Sequence, residues 1–203
     1  LRGEYMYVAE GKGGFRVYDV ASIGNKGVSE RIITAPFSGM GHDTHVDSAN
    51  ATCMALATNQ PINPLRNTEA MREANQEQAF LPIYNYAVIS DSVEGMILVN
   101  INTMADGEFR NNKLSRALTW NEGGVLTGAR HVQLAGEIAY FTSDRGLVAV
   151  DLHDPMEPKI VAVRELRDAR ASAIQFRYLW VTDADGLKLF DVSDLRNPVP
   201  MPQ

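Results

Sequence analysis

The sequence is poor in cysteine, in long hydrophobic runs and in positive charge. Its one cysteine, Cys53, allows no disulfide within the chain, and there is neither a CxxC nor a CxxCH motif, which excludes a cysteine-based zinc site and covalent haem attachment. The longest run without a charged residue, from Ser48 to Leu65, contains Asn, Gln, Thr and two prolines, so it is no transmembrane helix. The 19 basic and 25 acidic residues give a net charge of −6, which argues against a nucleic-acid or anionic-membrane surface.

The composition is otherwise that of a globular protein. Hydrophobic residues make up 45% and charged residues 22% of the 203 residues, which excludes a disordered tail, and the 16 glycines are too few for a collagen-like fibre. The chain begins at Leu1 and carries no signal peptide, so we expect a processed chain or a piece of a larger one.

An internal repeat organises the chain. Four segments share an aromatic-led apolar strand, a polar turn, a glycine, a second apolar strand and then Asp or Asn five residues after the glycine. The four units are Tyr7–Glu10 with Gly14–Val20, Tyr86–Asp91 with Gly95–Ile101, Tyr140–Asp144 with Gly146–Leu152, and Tyr178–Asp183 with Gly186–Val192.

Each unit is predicted to be a β-hairpin, because its strands are rich in Val, Ile, Tyr and Phe and its turn supplies Asp and Gly. The second strand is apolar on both pleat faces: Leu187 and Leu189 point one way, Phe190 and Val192 the other. Apolar residues on both faces indicate a small sheet between two others, as in the blade of a β-propeller.

The spacing of the repeat glycines gives the blade length. The intervals from Gly95 to Gly146 and from Gly146 to Gly186 fit one four-stranded blade of about 40–50 residues. The interval from Gly14 to Gly95 is longer by roughly 30–40 residues. We assign the excess to an insertion at Asn59–Gln78, in which residues 67–75 are predicted to make one or two helical turns.

Further strands are predicted between the hairpins. Those expected at the outer edge of a blade are Ser29–Pro36, Leu114–Trp120 and Lys159–Val163, and those expected at the inner or second position are Thr44–Val46 with Thr52–Thr58, Ala129–Leu134 and Ala171–Phe176.

The fold class is therefore all-β: a β-propeller segment of about three to four four-stranded blades with one long inserted loop. The blade units centre near residues 5–36, 44–120 with the insertion at 59–78, 129–163 and 171–203, so that residues 1–203 form one partial propeller. Two blades are expected to be whole. The first and last are expected to be cut, the last after its third strand, as in an arc of a larger ring.

The units resemble the LVIVD repeat, a propeller-forming repeat of bacterial and archaeal secreted or surface proteins. Gly186–Pro198 follows the repeat closely, with Leu195 where the family has Pro, and Gly146–Pro158 follows it too. The first two units depart more, with Gly27 and Gly107 where Pro is expected. The resemblance implies an extracytoplasmic (periplasmic or cell-surface) scaffold and supplies no catalytic residues. Some long bacterial LVIVD proteins are similar to partners or fusions of multihaem c-type cytochromes.

The densest cluster of polar residues predicts a divalent-metal site. On an extended strand Asp43, His45 and Asp47 share a face, and His42 can join them from the loop. One His and two carboxylates are ligands that divalent metals accept, and a histidine here could also reach a haem of a neighbouring cytochrome. The alternative is a polar loop that leads into a strand facing a wet channel.

Other polar groups are interpreted as architectural. Asp19, Asp151 and Asp191, with Asn100 in the second unit, close every repeat, so we expect each to accept backbone N–H groups of the following turn. Asp183–Gly186 and Ser90–Gly95 weakly resemble calcium loops but fit hairpin turns better.

The remaining candidates are weaker still. His131, His153, Cys53, Trp120 and Trp180 are expected to be packing or surface residues. The arginines at 164, 167, 170 and 177 lie among Glu165 and Asp168, which indicates a solvated loop, with a docking face for an acidic partner as the alternative.

Taken together, the sequence predicts a non-catalytic scaffold or protein-interaction module with no cofactor of its own. Its expected partners are the protein segments or subunits that complete the propeller, with no nucleic acid and no membrane span. The alternatives are a structural subunit of a multihaem cytochrome electron-transfer assembly, which contacts haem only through a partner, and a metal-dependent enzyme that uses Asp43, His45 and Asp47.

Overall fold

A computed structural model of the chain describes residues 3, 5–20, 43–57, 70, 73–74, 81–106 and 111–202. These residues form four antiparallel sheets, one of three strands and three of four strands, and in each sheet the strands follow one another in chain order. The fold is therefore all-β, and the four sheets are the blades of a propeller segment. We call them the first to fourth sheet.

The strands have the following bounds. The first sheet contains β1 (Tyr5–Ala9), β2 (Phe15–Asp19) and β3 (His45–Val46); the second, β4 (Ala51–Leu56), β5 (Tyr86–Asp91), β6 (Gly95–Asn100) and β7 (Ser115–Trp120); the third, β8 (His131–Ala135), β9 (Ile138–Ser143), β10 (Gly146–Asp151) and β11 (Lys159–Arg164); the fourth, β12 (Ala171–Gln175), β13 (Tyr178–Asp183), β14 (Gly186–Asp191) and β15 (Val199–Pro200). Short 3₁₀ turns occupy Pro82–Asn85, Asn102–Ala105 and Glu122–Gly124.

The hairpin turns depend on the repeat glycine. Gly146 has φ 108°, a backbone conformation that residues with a Cβ rarely adopt. A Cβ at this position would lie 2.3 Å from the carbonyl oxygen of Arg164, at the end of the neighbouring strand β11. The glycine thus lets the hairpin turn tightly while the next strand crosses against it.

The sheets stack face to face through three apolar layers. β6 and β10 are buried on both pleat faces, as their apolar runs predict, because each lies in a sheet with neighbours on both sides. The layer between the first and second sheets includes Phe15 and Ile97, that between the second and third Leu98 and Phe141, and that between the third and fourth Tyr140 and Phe190. The inner strands β4, β8 and β12 lie side by side.

Most of the strands predicted between the hairpins are present, and one was wrongly placed. His45–Val46 does not serve as an inner or second strand of the second blade; it pairs with β2 at the outer edge of the first sheet, with Phe15 opposite Val46. The reason is close packing, since a Cβ at Gly14 would lie 2.3 Å from the carbonyl oxygen of Val46. The fourth sheet also differs from the prediction, because it contains a fourth strand, β15, after the expected third.

Some predictions fall outside the described residues. The outer strand expected at 29–36 does so entirely. Of the insertion at 59–78, the structure describes Ala70, Glu73 and Ala74, which are helical as the predicted helical turns require.

Candidate functional site

The four residues of the predicted metal set are only partly brought together. His42 lies outside the described residues. Nε2 of His45 lies 2.7 Å from the carbonyl oxygen of Gly13, so this nitrogen donates a hydrogen bond, and it is 3.7 Å from Oδ1 of Asp47. Oδ1 of Asp43 accepts the backbone N–H of His45 at 3.0 Å, which turns Asp43 toward its own loop.

Within the described ranges no three His, Cys, Asp or Glu side chains lie close enough together to hold a metal ion. The side chain of Asp47 is 99% exposed. The hydrogen bond from His45 to Gly13 joins β3 to the turn between β1 and β2. The divalent-metal site stays a prediction.

The residues that close the repeats are architectural, as expected. Oδ1 of Asp151 accepts the N–H of His153 at 2.9 Å, and Oδ1 of Asp191 accepts the N–H of Ser193 at 2.8 Å. Asn100 makes the equivalent bond to Asn102 at 2.9 Å. The side chain of Asp19 lies outside the described residues. A role repeated from sheet to sheet with the same geometry is that of a turn anchor.

The acidic hairpins are likewise turns. Oδ1 of Asp183 accepts the N–H of Asp185 at 2.8 Å. Asp91, fully buried at the equivalent place in the second sheet, accepts the backbone N–H groups of Val93 and Glu94 through Oδ1 and that of Asn50 through Oδ2. Burial alone would raise the pKa of Asp91, but these hydrogen bonds outweigh it and hold the pKa below its usual range.

The four arginines predicted to lie in a solvated loop, Arg164, Arg167, Arg170 and Arg177, all have partners in the chain. Arg167 pairs with Asp185 at 2.5 Å, and Arg170 pairs with Asp168 at 2.5 Å. Nε of Arg164 donates to the carbonyl oxygen of Pro198 at 2.8 Å. Arg177 lies over the ring of Tyr178, 5.2 Å from its centroid, and 3.7 Å from Asp191. Contacts of this kind are those of a solvated loop whose positive charges are balanced by groups of the same chain.

Three further residues occupy structural positions. Nδ1 of His131 lies 3.1 Å from Oγ of Ser172 on the next inner strand, and burial lowers the pKa of this imidazole. His153 is exposed and lies 3.1 Å from Glu137. Cys53 is half-buried, with Sγ 3.8 Å from the carbonyl oxygen of Val132, and it lies in the apolar layer between the second and third sheets.

The contact between the third and fourth sheets shows how one blade recognises the next. Its apolar part is formed by Tyr140, Leu147 and Ala149 on the third sheet and Leu179, Val181 and Phe190 on the fourth. Its polar part is formed by the turn after β14: the Tyr140 hydroxyl donates to the carbonyl oxygen of Leu195 at 2.6 Å, and Arg196 binds Oδ2 of Asp151.

The opposite face of the fourth sheet is the feature that sequence reasoning missed. We call it the far face, and it is formed by Trp180, Leu187 and Leu189 with Asp191 at its end. Trp180 pairs with Leu189 across β13 and β14, as Tyr140 pairs with Ala149 in the third sheet. Leu187 is 53% exposed and Trp180 37%, whereas Leu147 is 1% exposed and Tyr140 is fully buried. The register relative to Gly146 and Gly186 makes these positions equivalent, but only the stacking of the sheets tells which sheet has an exposed face.

A cavity of about 220 Å³ lies beside this sheet. It is lined by Arg164, Glu165, Leu166, Lys188, Leu189, Phe190, Pro200 and Met201. In the described residues β15 pairs with Phe190 and Asp191 and the amide of Met201 donates to the carbonyl oxygen of Leu189, whereas β11 pairs with β10 from Leu147 to Asp151. The cavity is therefore a groove at the edge of a sheet whose outer strand is short.

Comparison with known proteins supports the repeat. A model of the LVIVD repeat matches residues 1–26, so the chain carries an LVIVD repeat. The match falls on the first unit, which was expected to depart more from the repeat than the third and fourth units. No curated protein matches the sequence.

Two solved structures are similar to the chain. The crystal structure of the computationally designed Ika8 protein is 10% identical with a TM-score of 0.51 over 95% of this chain and 44% of that chain. PorZ, described as an essential bacterial surface component of the type-IX secretion system of Porphyromonas gingivalis, is 11% identical with a TM-score of 0.40 over 100% of this chain and 25% of that chain. The chain thus spans less than half of either protein. In the part of this chain that the structure describes, no helix is long and apolar enough to cross a membrane.

Proposed function

We propose that this chain, which carries an LVIVD repeat, is a non-catalytic scaffold or protein-interaction module within a larger protein or assembly. The observation that carries the proposal is the far face of the fourth sheet. Leu187 is 53% exposed and shares this face with Trp180, which is 37% exposed, and contiguous exposed apolar residues mark interaction sites. The polar residues of the repeat are meanwhile engaged in turns and in contacts between sheets.

The extracytoplasmic location, periplasmic or at the cell surface, belongs to the same proposal and rests on the LVIVD resemblance. A multihaem cytochrome as partner rests on that resemblance alone and stays a prediction. It is tested by the absorbance spectrum of the complex purified from its native cells, in which haem bands are expected if a cytochrome is bound.

The scaffold function is tested by purifying the tagged protein from its native cells after chemical cross-linking and identifying the cross-linked peptides by mass spectrometry. We expect a stoichiometric protein partner, absent from cells that express the tag alone. A chain that purifies without any partner and turns over a substrate would overturn the proposal.

The metal-dependent enzyme built on Asp43, His45 and Asp47 stays the competing prediction. Elemental analysis of the purified protein tests it, with His45→Ala as the variant. Stoichiometric metal that is lost in this variant would support it. Unchanged metal content would reject it.

A further inference from the structure

We infer that the far face of the fourth sheet is the docking surface for a further blade of the same repeat type, one that carries a cationic side chain in the turn after its third strand. This inference deepens the proposed function and rests on it, because it names the kind of partner that the scaffold takes. The far face repeats the face by which the third sheet binds the fourth, so it continues the same interface.

The apolar part of the far face matches that interface position by position. Within the hairpins Leu187 stands where Leu147 stands, and the pair Trp180–Leu189 stands where Tyr140–Ala149 stands. In the third sheet these residues are buried under the fourth sheet. An apolar sheet face of this kind fits another apolar sheet face at the spacing of stacked sheets, about 10 Å.

The polar part matches as well. Asp151 uses Oδ1 to hold its own turn and Oδ2 to bind Arg196, which lies five residues after the Asp that closes the fourth repeat. Asp191 also uses Oδ1 to hold its own turn, and its Oδ2 forms an ion pair with Arg177 at 3.7 Å, longer than the contacts of 2.8 and 3.0 Å between Asp151 and Arg196. Because this ion pair includes no hydrogen bond, Oδ2 of Asp191 can still accept one from the guanidinium or ammonium group of the next blade.

The side chains of the far face determine how large the facing side chains of the further blade can be. Trp180 is larger than Tyr140, and Leu189 is larger than Ala149. The fourth sheet meets the third with Leu179 and Phe190, so the further blade needs smaller side chains than these at the corresponding positions, because protein interfaces pack as densely as cores.

A second copy of this chain is a poorer occupant. A second copy could offer its own far face, which carries the same Asp191 rather than a new cation, or the outward face of its first sheet. That face carries Met6 and Val8, but opposite them lie Arg16, which is 3.4 Å from Glu10, and Tyr18, which donates a hydrogen bond to Glu10. Placing this polar cluster against Trp180 and Leu187 would desolvate charge without a matching partner.

The test extends the full chain by one blade. A second copy of residues 164–203 is appended directly after Gln203. Val199 pairs with Asp191 as Lys159 pairs with Asp151, and position 203 follows Val199 by as many residues as Val163 follows Lys159. The appended residues therefore continue the chain in the register by which the third sheet leads into the fourth. The appended copy carries Trp180→Tyr, which leaves Trp180 of the original sheet and Trp120 as the tryptophans. A second version carries Leu189→Ala in the original sheet to restore the size found at Ala149.

In the extended protein we expect the tryptophan emission to shift to the blue and the backbone amides of residues 186–189 to exchange at least roughly tenfold more slowly than in the original chain. The version with Leu189→Ala should show the larger effects. Adding Leu187→Lys to the original sheet should abolish both effects, while the same substitution in the unextended chain leaves its Tm unchanged. Val93→Lys, at an exposed apolar residue of the second sheet, is the matched control and should change nothing.

The inference is overturned if emission and exchange stay the same in both extended versions while the appended residues exchange as an unfolded chain does. It is also overturned if the unextended chain is a dimer that Leu187→Lys dissociates, because the occupant is then a second copy. Either result leaves the scaffold proposal intact, since the cross-linking experiment reports partners on any surface.

Discussion

Arg196 in the turn after β14 reaches back to Asp151 of the preceding sheet, with Nε and Nη2 3.0 and 2.8 Å from Oδ2. Both nitrogens meet one carboxylate oxygen, while the other oxygen of Asp151 holds the turn of its own repeat. The Asp that closes a repeat therefore anchors its own blade and binds the next one.

Replacing Asp151 by Asn should lower stability at neutral pH and cost little in acid. Burial alone would raise the pKa of Asp151, but the amide of His153 and the guanidinium of Arg196 outweigh it and lower the pKa. A carboxyl with a lowered folded pKa contributes stability above its ordinary pKa of about 3.9 and loses it as the pH falls through the folded value. Urea unfolding at neutral pH and at about pH 3 measures the difference between the two proteins. Glu122→Gln, at an exposed position, should show no such pH-dependent difference.

Removing the hydroxyl of Tyr140 should weaken the contact between the third and fourth sheets. Tyr140→Phe keeps the buried ring but leaves the carbonyl oxygen of Leu195 without its 2.6 Å donor, so we expect a loss of about 1–2 kcal/mol in the free energy of unfolding. Tyr140→Ala should cost about 3–5 kcal/mol, because it also leaves a cavity. Guanidinium unfolding checks both, and Phe176→Ala, at an aromatic ring that is 90% exposed, is the comparison expected to stay near the parent. Equal losses at Tyr140 and Phe176 would contradict the buried joint.

Two glycines at the same repeat position should respond differently to alanine. Gly146 and Gly186 have φ 108° and 122°, so each alanine carries backbone strain of about 1–3 kcal/mol. At Gly146 the new Cβ would also lie 2.3 Å from the carbonyl oxygen of Arg164, which forces the backbone to move and adds about 1–3 kcal/mol. At Gly186 no described residue beyond its two chain neighbours has an atom within 4 Å of the new Cβ. Thermal unfolding of the two variants should therefore show the lower Tm for Gly146→Ala, and the reverse order would argue against the close approach of β11.

His131 should make the folded chain sensitive to mild acid. Burial lowers the pKa of its imidazole, so the unfolded chain binds the proton more readily than the folded chain. Stability is then fully present above the ordinary pKa of about 6.5 and falls as the pH drops from there toward the folded value. We expect His131→Gln to flatten the dependence of Tm on pH in this range. His153→Gln, at a side chain that is 75% exposed, should leave the parent's dependence in place.

Local features of the fold followed directly from the sequence. The hairpins at Gly95, Gly146 and Gly186 and the turns anchored by Asp151 and Asp191 depend on residues within a few positions of one another, so residue type and spacing were enough. The burial of β6 and β10 on both faces was also predictable, because runs that are apolar at every position need a neighbour on each side.

The placement of His45–Val46 was not predictable in this way. It is decided by its contact with Phe15 and Gly14, about thirty residues earlier in the chain, and the local pattern of polar and apolar residues fits either sheet. The same limit applies to the metal set, because the partner of His45 is the carbonyl oxygen of Gly13, a backbone group that no side-chain motif reveals.

The sequence by itself determined the repeat, the propeller class and the architectural role of the closing carboxylates, since each follows from local turn chemistry repeated along the chain. Only the tertiary structure decided which copy of a repeated surface is exposed. Tyr140 and Trp180 occupy the same position in their hairpins, and stacking covers the first and leaves 37% of the second exposed. Burial is a property of neighbouring sheets rather than of a residue, which is why the far face became visible only once the sheets were placed.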